Sequence, residues 1–138
     1  LVQGEANAVS PGKRMLSSMA PTIAWKGKEA VALGGRGGSR IPTHTIEVLL
    51  NLIVDGDSLQ TAVDRPRLHH QWLPDRLEVE ADTFSPETRA EIERRGHQIL
   101  VSSATAKIHA VRLLPDGRAE AASDPRGSGT GAVVEPEP

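Results

Sequence analysis

The sequence contains no cysteine and no tyrosine. Disulfides, thiolate zinc sites and cysteine nucleophiles are therefore excluded together. This does not fix the compartment. Aromatic residues make up 2% of the 138 residues: Trp25, Trp72 and Phe84. Any core must be aliphatic, built from Val, Leu, Ile and Ala. No apolar run approaches the roughly 20 residues that a membrane helix needs. Charge of one sign is also missing, since 16 basic against 18 acidic residues leave a net −2. A general nucleic-acid binder would show a basic excess. What remains is a globular composition, 38% hydrophobic and 25% charged, of a length suited to one domain. The opening Leu-Val-Gln-Gly-Glu carries no initiator Met, basic region or apolar stretch, and reads like the interior of a longer protein.

The pattern predicts a loop over Gly4 to Arg14 and a strand over Ala20 to Trp25. A turn at Lys26-Gly27-Lys28 leads to a second strand, Ala30 to Leu33. Gly34 to Ser39 follows as a glycine loop. A helix capped by Thr43 or Thr45 is expected next, with Ile46, Leu49, Leu50, Ile53 and Val54 at helical spacing and Gly56 at its C′ position. A second helix starts at Asp57 or Ser58 and stops before Pro66. Arg65 to Pro74 reads as irregular and Leu77 to Glu80 as a strand. Ser85-Pro86-Glu87 opens a third helix, which ends at Gly96. Strands are expected at Gln98 to Val101, Ile108 to Leu114 and Arg118 to Ala122, with a turn at Pro115-Asp116-Gly117. From about Asp124 to Pro138 the chain reads as a partly flexible, Gly- and Pro-rich tail that ends in a frayed Glu-Pro-Glu-Pro. Grouped strands and grouped helices favour an α+β fold over a doubly wound parallel sheet.

The glycine loop carries the strongest chemical signal. Between a strand and a helix, backbone N–H groups can converge on an anion or a developing oxyanion. The loop lacks the Gly-Lys-Ser/Thr ending of a P-loop. Arg40 stands where a dinucleotide fingerprint needs its third glycine. A flexible connection is the competing reading. Ser17-Ser18 offers two hydroxyls to a carboxylate, or serves as a turn. His69-His70 is adjacent rather than at ligand spacing, which argues against metal binding. His44, His97 and His109 read as structural or surface histidines. Arg65, Arg67 and Arg126 read as solvated or as partners of carboxylates rather than as phosphate contacts.

Residues Asn7 to Ile41, with ANAVSPGKRMLSSMAPTI and then GGRGGSRI, closely resemble the γ-glutamyltranspeptidase family. So do AVDRPRLHHQWLPDRLEVE at Ala62 to Glu80, Arg95-Gly96-His97 and Ser123-Asp124-Pro125-Arg126. The resemblance implies a share of the αββα sandwich of N-terminal nucleophile hydrolases, incomplete without an N-terminal portion. It implies a single domain over 1–138, the C-terminal part of a small subunit released when a precursor cleaves itself. It also implies acyl transfer or hydrolysis of γ-glutamyl compounds of the glutathione type, with no cofactor and no metal. By resemblance, Ser17 and Ser18 bind the substrate α-carboxylate, and the N–H groups of Gly37 and Gly38 form the oxyanion hole. The nucleophilic threonine belongs to family segments before Leu1, so this chain alone is expected to be inactive. Its partners would be the large subunit and the rest of the small subunit, in an extracytoplasmic compartment. Two departures stand out: Gly35-Arg36 where the family has Ser-Pro, and Pro42-Thr43-His44 where it has Ile-Thr-Thr. Arg36 puts a bulky cation beside the proposed oxyanion site, and with the missing nucleophile it favours the alternative of a catalytically silent anion-binding module; an acylase of glutaryl-type amides is the alternative within the family.

Overall fold

The computed structural model describes residues 4–103 and 105–134. Two hairpins and two short helices make the larger layer. Strand β1 (Thr22–Lys26) turns at Gly27, φ +61°, into β2 (Glu29–Arg36). Strands β6 (Lys107–Leu113) and β7 (Ala119–Ala122) are joined through Pro115-Asp116-Gly117. The four strands pair antiparallel in the order β1-β2-β6-β7. Helices α1 (Ile41–Ile53) and α2 (Leu59–Asp64) pack on one face. There Leu33, Ile108, Ala110 and Ala122 meet Ile41, Val48, Leu59, Ala62 and Val63 in an aliphatic core.

The other face of the sheet is apolar and open. Ile23, Trp25, Val111 and Leu113 are 67%, 75%, 55% and 47% exposed. In antiparallel pairing, directly opposed residues share a face. Trp25 opposes Ala30, Ile23 opposes Ala32, and these in turn oppose Leu113 and Val111.

A second sheet of three short strands holds β3 (Leu68–His69), β4 (Leu77–Val79) and β5 (Ile99–Val101). Strands β4 and β5 are parallel, connected through α3 (Pro86–Arg94), a single crossover unit in an otherwise antiparallel α+β molecule. The Ser85 side chain caps α3 by accepting from the Thr88 N–H at 3.2 Å, and Ser58 caps α2 in the same way.

Several expectations need correction. Strand β2 does not stop at Leu33. Gly34, Gly35 and Arg36 continue it, opposite His109, Ile108 and Lys107. Pairing with β6 overrides the weak strand preference of glycine. Gly35 is required there by contact, since a Cβ would lie 1.8 Å from the Lys107 carbonyl oxygen. Helix α1 begins at Ile41, with Pro42 in its first turn and no side-chain cap, so neither Thr43 nor Thr45 caps it. The stretch Arg65 to Pro74 includes strand β3. The start of the tail is held in place: Asp124 is 1% exposed and Arg126 is held in ion pairs. The closing Glu-Pro-Glu-Pro lies outside the described residues.

Candidate functional site

The glycine turn is shorter than the sequence indicates, because only Gly37 and Gly38 lie beyond the strand. Gly37 has φ +150° and Gly38 φ +62°. The two glycines are needed for different reasons. A Cβ on Gly37 would stand 2.4 Å from the Ala106 Cα, so Gly37 rests directly on that residue. A Cβ on Gly38 would meet nothing within 4 Å, yet its left-handed φ disfavours other residues. Gly38 to Arg40 then form one turn of 3₁₀ helix that runs straight into α1. The first N–H groups of a helix have no partner inside it. Gly38 and Ser39 occupy those positions, and the Gly37 carbonyl accepts from the Arg40 N–H at 3.4 Å.

Three neighbours fix the turn. Arg40 pairs with Glu78 of β4 through both Nε and Nη2. The Ser39 hydroxyl donates to Gln71 Oε1 at 2.7 Å, which also lies 3.1 Å from His69 Nε2. With Nε2 donating, His69 Nδ1 accepts from Thr43 Oγ1 at 3.0 Å. Ala106 forms the third wall. Its N–H donates to His44 Nδ1 at 3.0 Å, and its carbonyl accepts from Arg67 Nη1 at 2.8 Å.

Behind that wall lies a buried ion network. The Asp124 carboxylate accepts from Arg67 at 2.8 Å, from the Ile108 N–H at 2.7 Å and from Arg126 at 3.1 Å. Burial opposes the charge on Asp124, but the two backbone donors, Ile108 and Arg126, together with Arg67, outweigh it and hold its pKa low. Arg126 also pairs with Glu80 at 2.5 Å. Arg65 pairs with Asp55 at 2.9 Å and with Asp57. The three arginines therefore have carboxylate partners, the second of the two roles their sequence context leaves open. Burial raises the Glu47 pKa to about 7 against the Leu68 N–H, and Glu47 Oε2 has no hydrogen-bond partner among the described residues. Burial, then Arg67 and His69, lower the His44 pKa to about 4.

The serine pair lies in different surroundings. Residues 8 to 21 have no helix or strand, and Ser17 is exposed with Ser18 half-buried. The Ser17 hydroxyl accepts from the Met19 N–H at 3.2 Å. Ser17, Ser18 and Ser39 line one open cavity of about 690 Å³, together with Asn7, Lys13 and Arg14. The sequence-derived pair and the residue next to Gly38 thus share a cavity. The His69-His70 pair splits: His70 lies 3.2 Å from Asp75 and accepts from the Trp72 N–H. No cluster of three potential metal ligands occurs among the described residues. Sequence reasoning gave no role to Gln71, Glu78 or Ala106, which join the turn only through contacts far apart in the chain.

The gamma-glutamyltranspeptidase family model matches residues 1–134. The chain belongs to that family. It is 46% identical over 127 residues to the glutathione hydrolase proenzyme of Escherichia coli, covering 91% of this chain and 22% of that protein. It is 36% identical over 134 residues to an acylase proenzyme of Pseudomonas sp. strain SE83, covering 95% and 23%. The structure superposes on a mutant γ-glutamyltranspeptidase from Pseudomonas nitroreducens with TM-score 0.86 and 38% identity, over 99% of this chain and 72% of the other. The α+β fold is accordingly part of the N-terminal nucleophile hydrolase sandwich. The chain spans between 17% and 25% of the length of the first curated relatives it matches.

Proposed function

We propose that residues 1–138 are one domain, the C-terminal part of the small subunit of a γ-glutamyltranspeptidase-like enzyme. In this reading, the N–H groups of Gly37 and Gly38 bind the oxyanion, and Ser17 and Ser18 hold the substrate α-carboxylate. The substrate class is γ-glutamyl compounds of the glutathione type. The supporting observation is the shared cavity: Ser17 and Ser18 line it with Ser39, the residue after Gly38. A threonine supplied outside this chain attacks the γ-carbonyl carbon. The carbonyl π pair moves onto oxygen, where fixed backbone donors lower the barrier. The pair returns as the C–N bond breaks, and the threonine proton leaves with the amine. Water or an acceptor amine then displaces the acyl group from the threonine.

The chain's partners are then the large subunit and the rest of the small subunit. The apolar face around Ile23, Trp25, Val111 and Leu113 is the natural surface for them to cover. An extracytoplasmic location goes with this reading, and it needs no cofactor. The acylase relative, similar over 95% of this chain, favours a second reading in which a non-amino acyl amide is the substrate.

One experiment separates the readings: expressing the whole precursor, following self-cleavage, and assaying a γ-glutamyl anilide against a glutaryl anilide. Turnover of the first supports the proposal, and turnover of the second alone supports the acylase. No cleavage and no turnover leave a silent anion-binding module. Within an active enzyme, Gly38→Ala should lower kcat by about 10²–10³-fold with little change in KM.

A further inference from the structure

The residue under the glycine turn is clamped from two sides, and one clamp is a histidine. We propose that His44 is a positioning residue for the glycine turn: its imidazole holds Ala106, and Ala106 holds Gly37. This inference rests on the oxyanion reading of Gly37 and Gly38.

His44 stands in the first turn of α1 and is 1% exposed. Its Nδ1 accepts the Ala106 N–H at 3.0 Å. An accepting Nδ1 requires the ring proton on Nε2, which lies 4.0 Å from Glu47 Oε2. The other side of Ala106 is closed by Arg67, whose Nη1 donates to its carbonyl at 2.8 Å. Ala106 cannot shift without moving the turn. The space a Gly37 Cβ would need is taken by Ala106, and the space a Gly35 Cβ would need is taken by the Lys107 carbonyl. Both glycines therefore press on the segment that His44 pins.

Protonation at Nδ1 would set two N–H donors against each other and release the clamp. The groups acting on the ring work against this: burial first, then the Arg67 charge, His69 edge-on at 6.0 Å and Arg126, outweighing Glu80 and the Glu47 carboxyl, which lies 4.0 Å from Nε2. At neutral pH the ring stays an acceptor. The consequence is catalytic geometry, because a displacement on the order of 1 Å in the reacting site costs about 10²-fold in rate.

The test uses the whole self-cleaved enzyme, with kcat expressed per titrated active site. His44→Leu keeps the volume and removes the acceptor. His44→Asn places an amide oxygen near the Nδ1 position. The expected result is a kcat lowered by roughly 10–10²-fold in His44→Leu, with KM little changed, and most of the rate regained in His44→Asn. A purely structural histidine would change the yield of folded enzyme and leave kcat per site alone. A mature His44→Leu enzyme with wild-type kcat overturns the inference, as do Leu and Asn variants equally slow. If His44→Leu does not mature, His44→Asn is compared with His44→Gln, whose longer amide passes the Nδ1 position. Asn faster than Gln supports the role, and equal rates overturn it. Gly38→Ala serves as the reference. A wild-type kcat there sinks the oxyanion reading and this inference with it. A loss there beside a wild-type kcat in His44→Leu sinks this inference alone.

Discussion

The two halves of the candidate site are built in opposite ways. The glycine turn is locked by contacts inside the chain: Ala106 beneath it, Gln71 and Glu78 beside it, and the Asp124–Arg67 pair behind. The segment carrying Ser17 and Ser18 has no regular structure, and its apolar residues face outward, with Met15 and Met19 79% and 70% exposed. Large exposed apolar side chains beside a cavity mark a surface meant to be covered. In the proposed reading the oxyanion donors would be preorganised by this chain, whereas the carboxylate site would lie on a segment with no regular structure of its own. That division suits the chemistry, since preorganisation counts most where charge develops in the transition state.

The strongest way to break the contrast is to attack the network behind the turn. Asp124→Asn leaves the buried Arg67 guanidinium without its counter-charge. Breaking a buried pair from one side costs about 3–5 kcal/mol. The expected outcome is a large drop in the urea midpoint, with faster hydrogen exchange at the Ile108 amide, which now donates to Asp124. An unchanged midpoint would mean that the turn is not held from behind.

A second test uses pH. Glu47 has its pKa raised from 4.5 to about 7, so the folded form keeps a proton that the unfolded chain has lost between those values. Its contribution to stability falls as pH rises through that window. His44 has its pKa lowered from 6.5 to about 4, so the folded form has released a proton that the unfolded chain still holds. Its contribution rises with pH between about 4 and 6.5. Each effect integrates to about 3 kcal/mol at 1.36 kcal/mol per pH unit, and their signs oppose where the windows overlap. Glu47→Gln should expose the rising His44 limb, and His44→Asn the falling Glu47 limb. Identical slopes in wild type and both variants would refute the pairing.

How much of this was legible in the sequence follows the same division. Local chemistry was readable: Ser85-Pro86 starts α3, Ser58 caps α2, and glycine turns close both hairpins. Residues whose role comes from distant partners were not. Asp124 and Arg126 sit in a Gly- and Pro-rich stretch that reads as tail, yet they staple it to Arg67 and Glu80, 57 and 46 residues away. The two-residue strand β3 exists only because Leu68 and His69 pair with Val79 and Glu78. The serine pair and the glycines stand out in the sequence as candidates. The cavity that the serines share with Ser39 was not legible, because it depends on how residues 4 to 18 lie against Ser39.

Ser17→Ala combined with Ser18→Ala tests the looser half. If both hydroxyls donate to the substrate carboxylate, each loss costs on the order of 1.5–3 kcal/mol of binding, which is a KM increase of roughly ten- to a hundredfold per serine. Unfolding should barely change, because Ser17 is exposed and accepts only one local N–H among the described residues. A double variant that matures with wild-type KM for a γ-glutamyl anilide would remove the assignment. One that fails to fold would show this segment to be as locked as the turn.

The smallest expected effect sharpens the contrast within the turn itself. Gly37 and Gly38 are adjacent, but only Gly37 is packed: its Cβ position is filled by Ala106, whereas that of Gly38 is open. Alanine at position 38 therefore meets no clash and bears only the penalty of a left-handed φ of +62°, about 1 kcal/mol. Asparagine tolerates that region better, so Gly38→Asn should unfold closer to wild type than Gly38→Ala. Urea midpoints of the two variants in the whole enzyme measure this directly. If backbone strain alone set kcat, Asn would recover the rate as it recovers stability. If the open side of Gly38 is where the carbonyl oxygen arrives, both side chains intrude on it. Both variants should then be slow whatever their midpoints, with Asn, the larger, no faster than Ala.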